Sequence, residues 1–330
     1  MSNPTQTGVH VDSALTNLSV AYRQSASAFI ADRVFPNVPV RFKSDEYYIY
    51  NRADWNRDEV QVRAPATESA GGGYRLSTET YTAKVHGFHK DVADPDRANA
   101  DPAIDLDRDA VEYVMHKMML GKEVDWANRF FTSGVWSSEK TGVASNPTGN
   151  QVVKWSDTTS GDPIGDIEAA IIDMESQTGY APNKLVLNRR SMSALKNHPD
   201  VVDRVKYATS TSDNPARVTP QTLAALFGLD EILMSTAVVN SAAEGATESS
   251  DYVTGTNALL VYAPRTASLM TPSAGLTFSW SGYLGNGNAM GIATSRFRMD
   301  NLKAERIEAE MAYDQKVVAA DLGYAFIDIA

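Results

Sequence analysis

Three aspartates at alternate positions have a spacing that could serve to bind a metal ion. Asp105, Asp107 and Asp109 match the first ligand positions of an EF-hand calcium loop. That loop also needs glycine at its sixth position and a bidentate glutamate at its twelfth, where this chain has Ala110 and His116. We therefore predict no calcium site here and interpret the aspartates as carboxylates that complement the positive end of a helix dipole.

The histidines do not form a metal-binding or catalytic pattern. His86 and His89 lie in a predicted strand, where a separation of three places them on opposite faces, and no third ligand accompanies them. His116 lies among apolar positions of a predicted helix, and we expect it to be a packed side chain. His198 is expected at the start of another helix.

Two glycine-rich runs resemble phosphate-binding loops only in part. Residues 285–291 have the spacing G-x-G-x-x-x-G and are followed by strand-like residues, whereas a dinucleotide-binding loop is followed by a helix and a later acid. We interpret this run as a wide β-turn. Residues 71–73 are not followed by the Lys-Ser/Thr pair of a Walker loop.

No other catalytic pattern stands out. The sequence contains neither a G-x-S-x-G nor an H-E-x-x-H signature, and the absence of cysteine excludes disulfides, thiolate metal sites and a thiol nucleophile. A pair of carboxylates of the glycosidase type remains an open alternative, although nothing selects two of them. We predict no catalytic, cofactor-binding or metal-binding residue, and therefore no enzyme.

Composition and charge restrict the class of protein further. A chain of 330 residues has a length typical of about two domains. Its 43% hydrophobic and 22% charged residues are ordinary globular values, and no apolar stretch approaches the roughly 18 residues of a membrane span. The net charge of −11 argues against phosphate-backbone binding as the main function.

The charge is distributed unevenly along the chain. Ten acidic residues stand against four basic ones between Asp91 and Asp125, whereas the first 43 residues carry four basic and two acidic side chains. A weakly basic leading segment ahead of an acidic body favours contact between copies of the chain over nucleic-acid binding.

The hydrophobic patterning predicts an unusual order of elements. Residues 41–90 alternate as a long two-stranded excursion around the glycines 71–73, and such a ribbon is expected to need a partner surface. A long helix is predicted over 104–131 and a loop over 135–161. Helices and strands then alternate to about residue 262, and strands return at 276–280, 292–298, 306–312 and 316–318.

This order resembles that of the major capsid proteins of tailed bacteriophages. Residues 21–40, 64–74 and 321–328 add to the likeness, which covers nearly the whole chain. The resemblance implies an α+β chain with the Hong Kong 97-type capsid fold. It implies five parts: an N-terminal arm (1–40), an extended β-hairpin loop (41–90), a peripheral domain with a spine helix (91–155), an axial α/β domain (156–264) and the return strands of the peripheral domain (265–330).

The resemblance also implies a function and partners. The chain would assemble with itself, as hexamers and pentamers, into the icosahedral shell that encloses the double-stranded DNA of a tailed phage, without sequence-specific binding and without a membrane. Further partners would be a portal and, unless a scaffolding segment has been removed, a separate scaffolding protein. A decoration protein would be an optional further partner. The location would be the virion, with assembly in the cytoplasm of the host bacterium. Lys84 lies in the excursion, but no partner for an isopeptide crosslink is identified.

Two alternatives stay open. An encapsulin-like nanocompartment shell has the same fold and differs in its cargo. A carboxylate-dependent hydrolase would instead be a compact monomer whose excursion folds onto its own core.

Overall fold

A computed structural model gives the fold of the chain and describes residues 23–100, 105–209, 218–268, 270–284 and 292–330. The first 22 residues of the predicted arm and the glycine-rich run 285–291 lie outside the described residues. The described residues combine helices with two large sheets and a separate two-stranded ribbon, in agreement with the predicted α+β class.

The strands are numbered in chain order and range from three to fourteen residues. They are β1 (Asn37–Val40), β2 (Ser44–Tyr50), β3 (Leu76–Thr82), β4 (Lys84–Ala93), β5 (Ser138–Val143), β6 (Gln151–Val153), β7 (Lys184–Asn188), β8 (Glu231–Ser235), β9 (Val238–Asn240), β10 (Ser250–Tyr252), β11 (Ala258–Val261), β12 (Gly275–Trp280), β13 (Ile292–Met299), β14 (Ala304–Val317) and β15 (Gly323–Ile327).

One helix is much longer than the others. The α-helices are α1 (Ala31–Val34), α2 (Arg52–Trp55), α3 (Asp94–Asn99), α4 (Leu106–Phe130), α5 (Pro163–Thr178), α6 (Arg189–Asn197), α7 (Pro199–Thr209), α8 (Pro220–Phe227) and α9 (Ser281–Leu284), and short 3-10 turns occur at Ala26–Ala28 and Ala320–Leu322.

The long strand β14 organises a five-stranded sheet. It pairs with β13 and β4 over its first part and with β12 over its last part, and β1 adds to β12 in parallel. Helix α4 covers this sheet, because Val114 and Met118 pack against Met311 and Tyr313.

The sequence predicted a break in β14 where none exists. Two strands were expected over 306–312 and 316–318, separated by residues 313–315. Asp314 and Gln315 instead pair with β12 and are buried, and Asp314 is bonded to Arg129 of α4. A distant guanidinium therefore lets a polar residue stay inside a continuous strand.

The six-stranded sheet has the strand order β6-β5-β15-β11-β7-β8 and is covered on both faces. Leu185 and Leu187 of β7 pack toward helices α5 to α8, whereas Val186 between them packs toward α4 and the arm. Because both faces are buried, residues 185–187 of β7 and all of β11 are consecutive apolar residues rather than an alternating pattern.

The loop predicted over 135–161 contains two strands of this sheet, so that prediction was wrong. Strand β5 has the sequence SEKTGV, which lacks a strand-like pattern. It forms because β15, from the end of the chain, pairs with it in parallel at Tyr324↔Ser138 and Ile327↔Thr141. Tertiary pairing overrides weak local propensity here.

The sheets do not follow the domain boundaries expected from the sequence. The six-stranded sheet takes β5, β6 and β15 from outside the predicted axial range 156–264. The two-stranded pairing of the predicted excursion ends at Ser44↔Thr82, and Lys84 onward belongs to β4 of the five-stranded sheet. The boundaries themselves stay a prediction.

The first of the three aspartates caps helix α4. The Asp105 carboxylate accepts a hydrogen bond from the Arg108 amide at 3.1 Å, and Asp107 and Asp109 follow in the first turn. We expect Asp105→Ala to lower the free energy of unfolding by about 1 kcal/mol, because the amide loses its acceptor. Asp105→Ser keeps an acceptor and should lose less. Urea denaturation of both variants measures the difference, and equal losses would contradict the capping role.

Candidate assembly interface

The two histidines of β4, which the sequence did not predict to be metal ligands, have separate surroundings. His86 stacks on Tyr313 with ring centroids 4.6 Å apart, and its Nδ1 lies 3.9 Å from Asp125 Oδ2. His89 lies on the opposite face of β4, as its spacing predicts. Within the described ranges, no three His, Cys, Asp or Glu side chains are placed as metal ligands.

His116 and His198 are packed side chains, and His10, the fifth histidine of the sequence, lies outside the described residues. His116 contacts the ring of Phe29 edge-on at 5.7 Å, and burial lowers the pKa of its imidazole. His198 is 1% exposed where α6 meets α7, and neither ring nitrogen forms a hydrogen bond, although Asp200 Oδ2 lies 3.5 Å from Nδ1. No substrate-sized space adjoins either ring among the cavities described next.

Neither of two concave spaces among the described residues combines the room and the side chains that catalysis needs. The first, about 40 Å³, contains the carboxylates of Asp32 and Glu123 but has room only for a water-sized molecule. The second, about 430 Å³, is an open cleft between Trp155 and α6, and its lining includes Arg190 but no acidic or imidazole side chain. The one carboxylate pair in these spaces, Asp32 and Glu123, therefore has no room beside it for the substrate of a hydrolase. Across the described part of the chain, no helix is long and apolar enough to span a membrane.

The ribbon consists of β2, β3 and the residues 51–75 that connect them. The two strands pair antiparallel from Ser44↔Thr82 to Tyr50↔Leu76, and no further strand joins them among the described residues. Every residue from 55 to 80 is exposed. A two-stranded ribbon is marginally stable alone, so we expect another surface to pack against this segment.

The base of the ribbon is fixed to the five-stranded sheet. Tyr81 stacks on Phe278 of β12 with centroids 4.6 Å apart, and Tyr47 contacts the same ring at 5.4 Å. The Thr82 amide donates to Asp314 Oδ2 at 2.9 Å, and Arg129 holds the other carboxylate oxygen at 2.9 Å. These contacts set the direction in which the ribbon leaves the molecule.

A small folded unit lies in the middle of the ribbon. Tyr50, Trp55 and Tyr74 form a trio with ring centroids 5.6 to 6.0 Å apart. Asp54 accepts three hydrogen bonds from Arg75, one from its backbone amide and two from its guanidinium, at 2.9 to 3.0 Å. Helix α2 is thereby fixed to the residue that precedes β3, just beyond the last strand pair Tyr50↔Leu76.

The ribbon also concentrates exposed apolar surface. Val60 and Val62 have relative exposures of 90% and 102%, so both side chains are completely open to water. Large apolar side chains exposed in this one segment are Phe42, Tyr48, Tyr50, Trp55, Val60, Val62, Tyr74 and Leu76. Contiguous exposed apolar surface marks protein interaction sites.

The Asp54–Arg75 pair predicts how the ribbon responds to acid. Hydrogen bonds from the Arg75 side chain and amide lower the pKa of Asp54 from 3.8 to about 2. The folded ribbon favours the ionised acid, so this stabilisation is present above pH 3.8 and is lost as the pH falls toward 2. We expect the fluorescence contribution of Trp55, taken as the difference from Trp55→Phe, to change over this range. Asp54→Asn should remove that transition, and an unchanged transition would contradict its assignment.

Sequence reasoning missed the charged groups that position the ribbon. Asp314 and Arg129 lie 185 residues apart, and Asp54 and Arg75 lie 21 apart, so neither pair forms a local motif. Strand β14 contains several charged residues, so its charge does not distinguish Asp314 within the strand.

Comparison with known proteins shows which class of protein this chain resembles. No protein-family profile matches the chain. The chain is 25% identical over 316 residues to the major capsid protein of Pseudomonas phage JBD67, covering 96% of both chains. It is 19% identical over 319 residues to the major capsid protein of Burkholderia phage BcepMu, covering 95% of both.

Solved structures share the fold over most of the chain. A phage-related protein from Bordetella bronchiseptica RB50 matches with a TM-score of 0.65 and 24% identity, covering 93% of both chains. The capsid of cyanophage P-SCSP1u matches with a TM-score of 0.63 and 11% identity over 99% of this chain and 95% of that one. The holo-SrpI encapsulin complex from Synechococcus elongatus PCC 7942 matches less well, with a TM-score of 0.50 and 10% identity over 98% and 97%.

These findings confirm two predictions made from the sequence. The fold is that of phage capsid proteins of the Hong Kong 97 type. The predicted resemblance to phage major capsid proteins, and with it the predicted function of a major capsid protein, is confirmed by the two named relatives together with that fold.

Proposed function

We propose that this chain assembles with copies of itself, as hexamers and pentamers, into a closed icosahedral shell. The exposed ribbon carries the proposal, because its apolar residues have no cover among the described residues of the same chain. A neighbouring copy supplies that cover. The names of the relatives and the capsid fold support the same conclusion.

The ribbon has the mechanical properties that such a contact requires. Its base is fixed by Phe278 and Asp314, and its middle is braced by the Asp54–Arg75 pair. The far part, around Val60 and Val62, therefore reaches a neighbour from a defined direction and buries apolar surface there. Heterologous contacts of this kind close into a shell when they are related by symmetry.

The content of the shell is double-stranded DNA in this proposal, packaged in a tailed phage. The net charge of −11 supports enclosure without adhesion, because a negative subunit does not bind the phosphate backbone tightly. Further partners are a separate scaffolding protein and a portal, and a decoration protein is an optional addition to the shell. The subunit acts without catalysis, assembles in the host cytoplasm and remains in the virion.

Electron microscopy of the purified full chain, with light scattering for mass, tests the proposal. Closed icosahedral particles are expected, with DNA inside when they are isolated from an infected or induced host. Particles that hold a cargo enzyme instead of DNA would identify an encapsulin-like compartment, which the weaker structural match makes the second candidate. A species of 35.9 kDa that stays monomeric even with scaffolding protein added would overturn both shell functions.

A further inference from the structure

A four-residue helix of the leading segment is held at both ends by buried charged side chains. Glu123 of α4 accepts hydrogen bonds from the amides of Ile30 and Ala31 at 3.0 to 3.1 Å, where α1 begins. Lys184 of β7 donates to the carbonyls of Arg33 and Val34 at 2.7 and 2.9 Å, where α1 ends. Both charged residues lie far from α1 in sequence and come from different parts of the fold.

The side chains of this turn lie at the centre of the molecule. Ile30, Val34 and Phe35 are at most 1% exposed. They share one apolar cluster with Phe130 of α4 and Val186 of β7, so the turn lies between the spine helix and the six-stranded sheet. The turn therefore connects helix α4 with the six-stranded sheet.

Glu123 is a carboxylate in an unfavourable environment for its charge. It is 1% exposed, and the nearest lysine, Lys122, directs its ammonium to Asp32 at 2.6 Å. Desolvation raises the pKa of Glu123 from 4.5 to about 7, the amide hydrogen bonds oppose this shift, and Asp32 adds to it. Tyr313 of β14 lies beneath the Lys122 ammonium at 5.6 Å, and Ile292 and Met311 complete an apolar wall.

We propose that α1 is a releasable latch between helix α4 and the six-stranded sheet. In the seated state α1 has the position described above, and in the released state it leaves that position. Protonation of Glu123 favours the seated state. The cavity of about 40 Å³ beside Glu123 supports this assignment, because it leaves space for water to reach the carboxylate when the turn lifts. Lys184 holds the other end of the turn. The inference concerns a single chain and does not depend on shell formation.

The direction of the effect follows from the burial of the acid. Seating the turn raises the pKa of Glu123, so the seated state binds a proton that the released state gives up between pH 4.5 and about 7. The equilibrium constant for seating falls by up to tenfold per pH unit in that range, or about 300-fold in all, and levels off above it. Seating is therefore tightest in acid and weakest above neutrality.

Hydrogen exchange of the full chain between pH 5 and pH 8, corrected for the intrinsic rate, tests this latch. We expect protection of residues 28–36 to fall by about 40-fold from pH 5 to pH 7 and by about a further twofold from pH 7 to pH 8. Strand β7 in the same sample reports the opening of the whole core, so residues 28–36 should be less protected than β7 at every pH if α1 is released locally. Glu123→Gln should abolish the slope in residues 28–36.

Glu175→Gln is the matched control, because Glu175 is an exposed acid on α5 and its removal changes the charge equally. It should keep the slope of the unaltered protein. Arm protection that does not vary with pH, or a slope that survives in Glu123→Gln, would overturn the proposal. If Glu123→Gln does not fold, the unaltered chain decides the question: residues 28–36 should show the fall with pH and be less protected than β7, and equal protection of the two segments would overturn a local release.

Discussion

Replacing Val60 and Val62 together by serine is expected to abolish shell assembly while leaving the folded subunit intact. The side chains are 90% and 102% exposed, so they contribute almost nothing to the stability of the single chain. In a shell, burial of a valine is worth about 1.5 kcal/mol or more, and losing two per contact lowers the association constant by at least about a hundredfold. Every subunit carries the same loss, so the closed particle fails to form.

The measurement is the yield of particles by electron microscopy and light scattering, together with the free energy of unfolding of the dissociated subunit. Gln61→Ser is the matched control, because Gln61 lies between the two valines and is equally exposed. It should assemble normally. Normal shells from Val60→Ser/Val62→Ser would show that the ribbon does not provide the contact.

The second large effect concerns the core. Phe130→Ala is expected to lower the free energy of unfolding by about 3 to 5 kcal/mol, because a fully buried ring is replaced by a cavity. Phe130 contacts Phe35 of the leading segment at 4.5 Å and Trp136 at 6.1 Å. The loss therefore loosens the turn α1 as well as the spine helix.

Urea denaturation measures this change, and Val111→Ala is the control on the exposed side of the same helix, at 37% exposure. That variant should change stability by no more than about 0.5 kcal/mol. A loss below about 1 kcal/mol in Phe130→Ala would mean that the cluster repacks around the missing ring.

Part of the candidate interface could be predicted and part could not. The alternation on both sides of the glycines 71–73 was enough to predict a long ribbon that needs a partner, because strand periodicity and turn chemistry are local signals. Its folded middle was not predictable. The Asp54–Arg75 pair forms only once the two strands are in register.

The sequence by itself determined elements whose signals lie within one turn or one strand. Helix α5 begins after the cap Asp162, which accepts from the Gly165 amide, and ends at Gly179 with a φ of 75°. Helix α8 likewise lies between the cap Thr219 and Gly228. The order of the elements, together with residues 21–40, 64–74 and 321–328, carried the resemblance to phage capsid proteins that implied the fold.

Only the tertiary structure decided which polar residues are buried and which weak segments become strands. Glu123 binds an amide 93 residues away, and Lys184 binds a carbonyl 150 residues away, so no local pattern distinguishes them from surface charges. Strand β5 exists because β15 pairs with it. A buried charge or a weak strand is stabilised by partners that are distant in sequence, and only the folded chain brings those partners together.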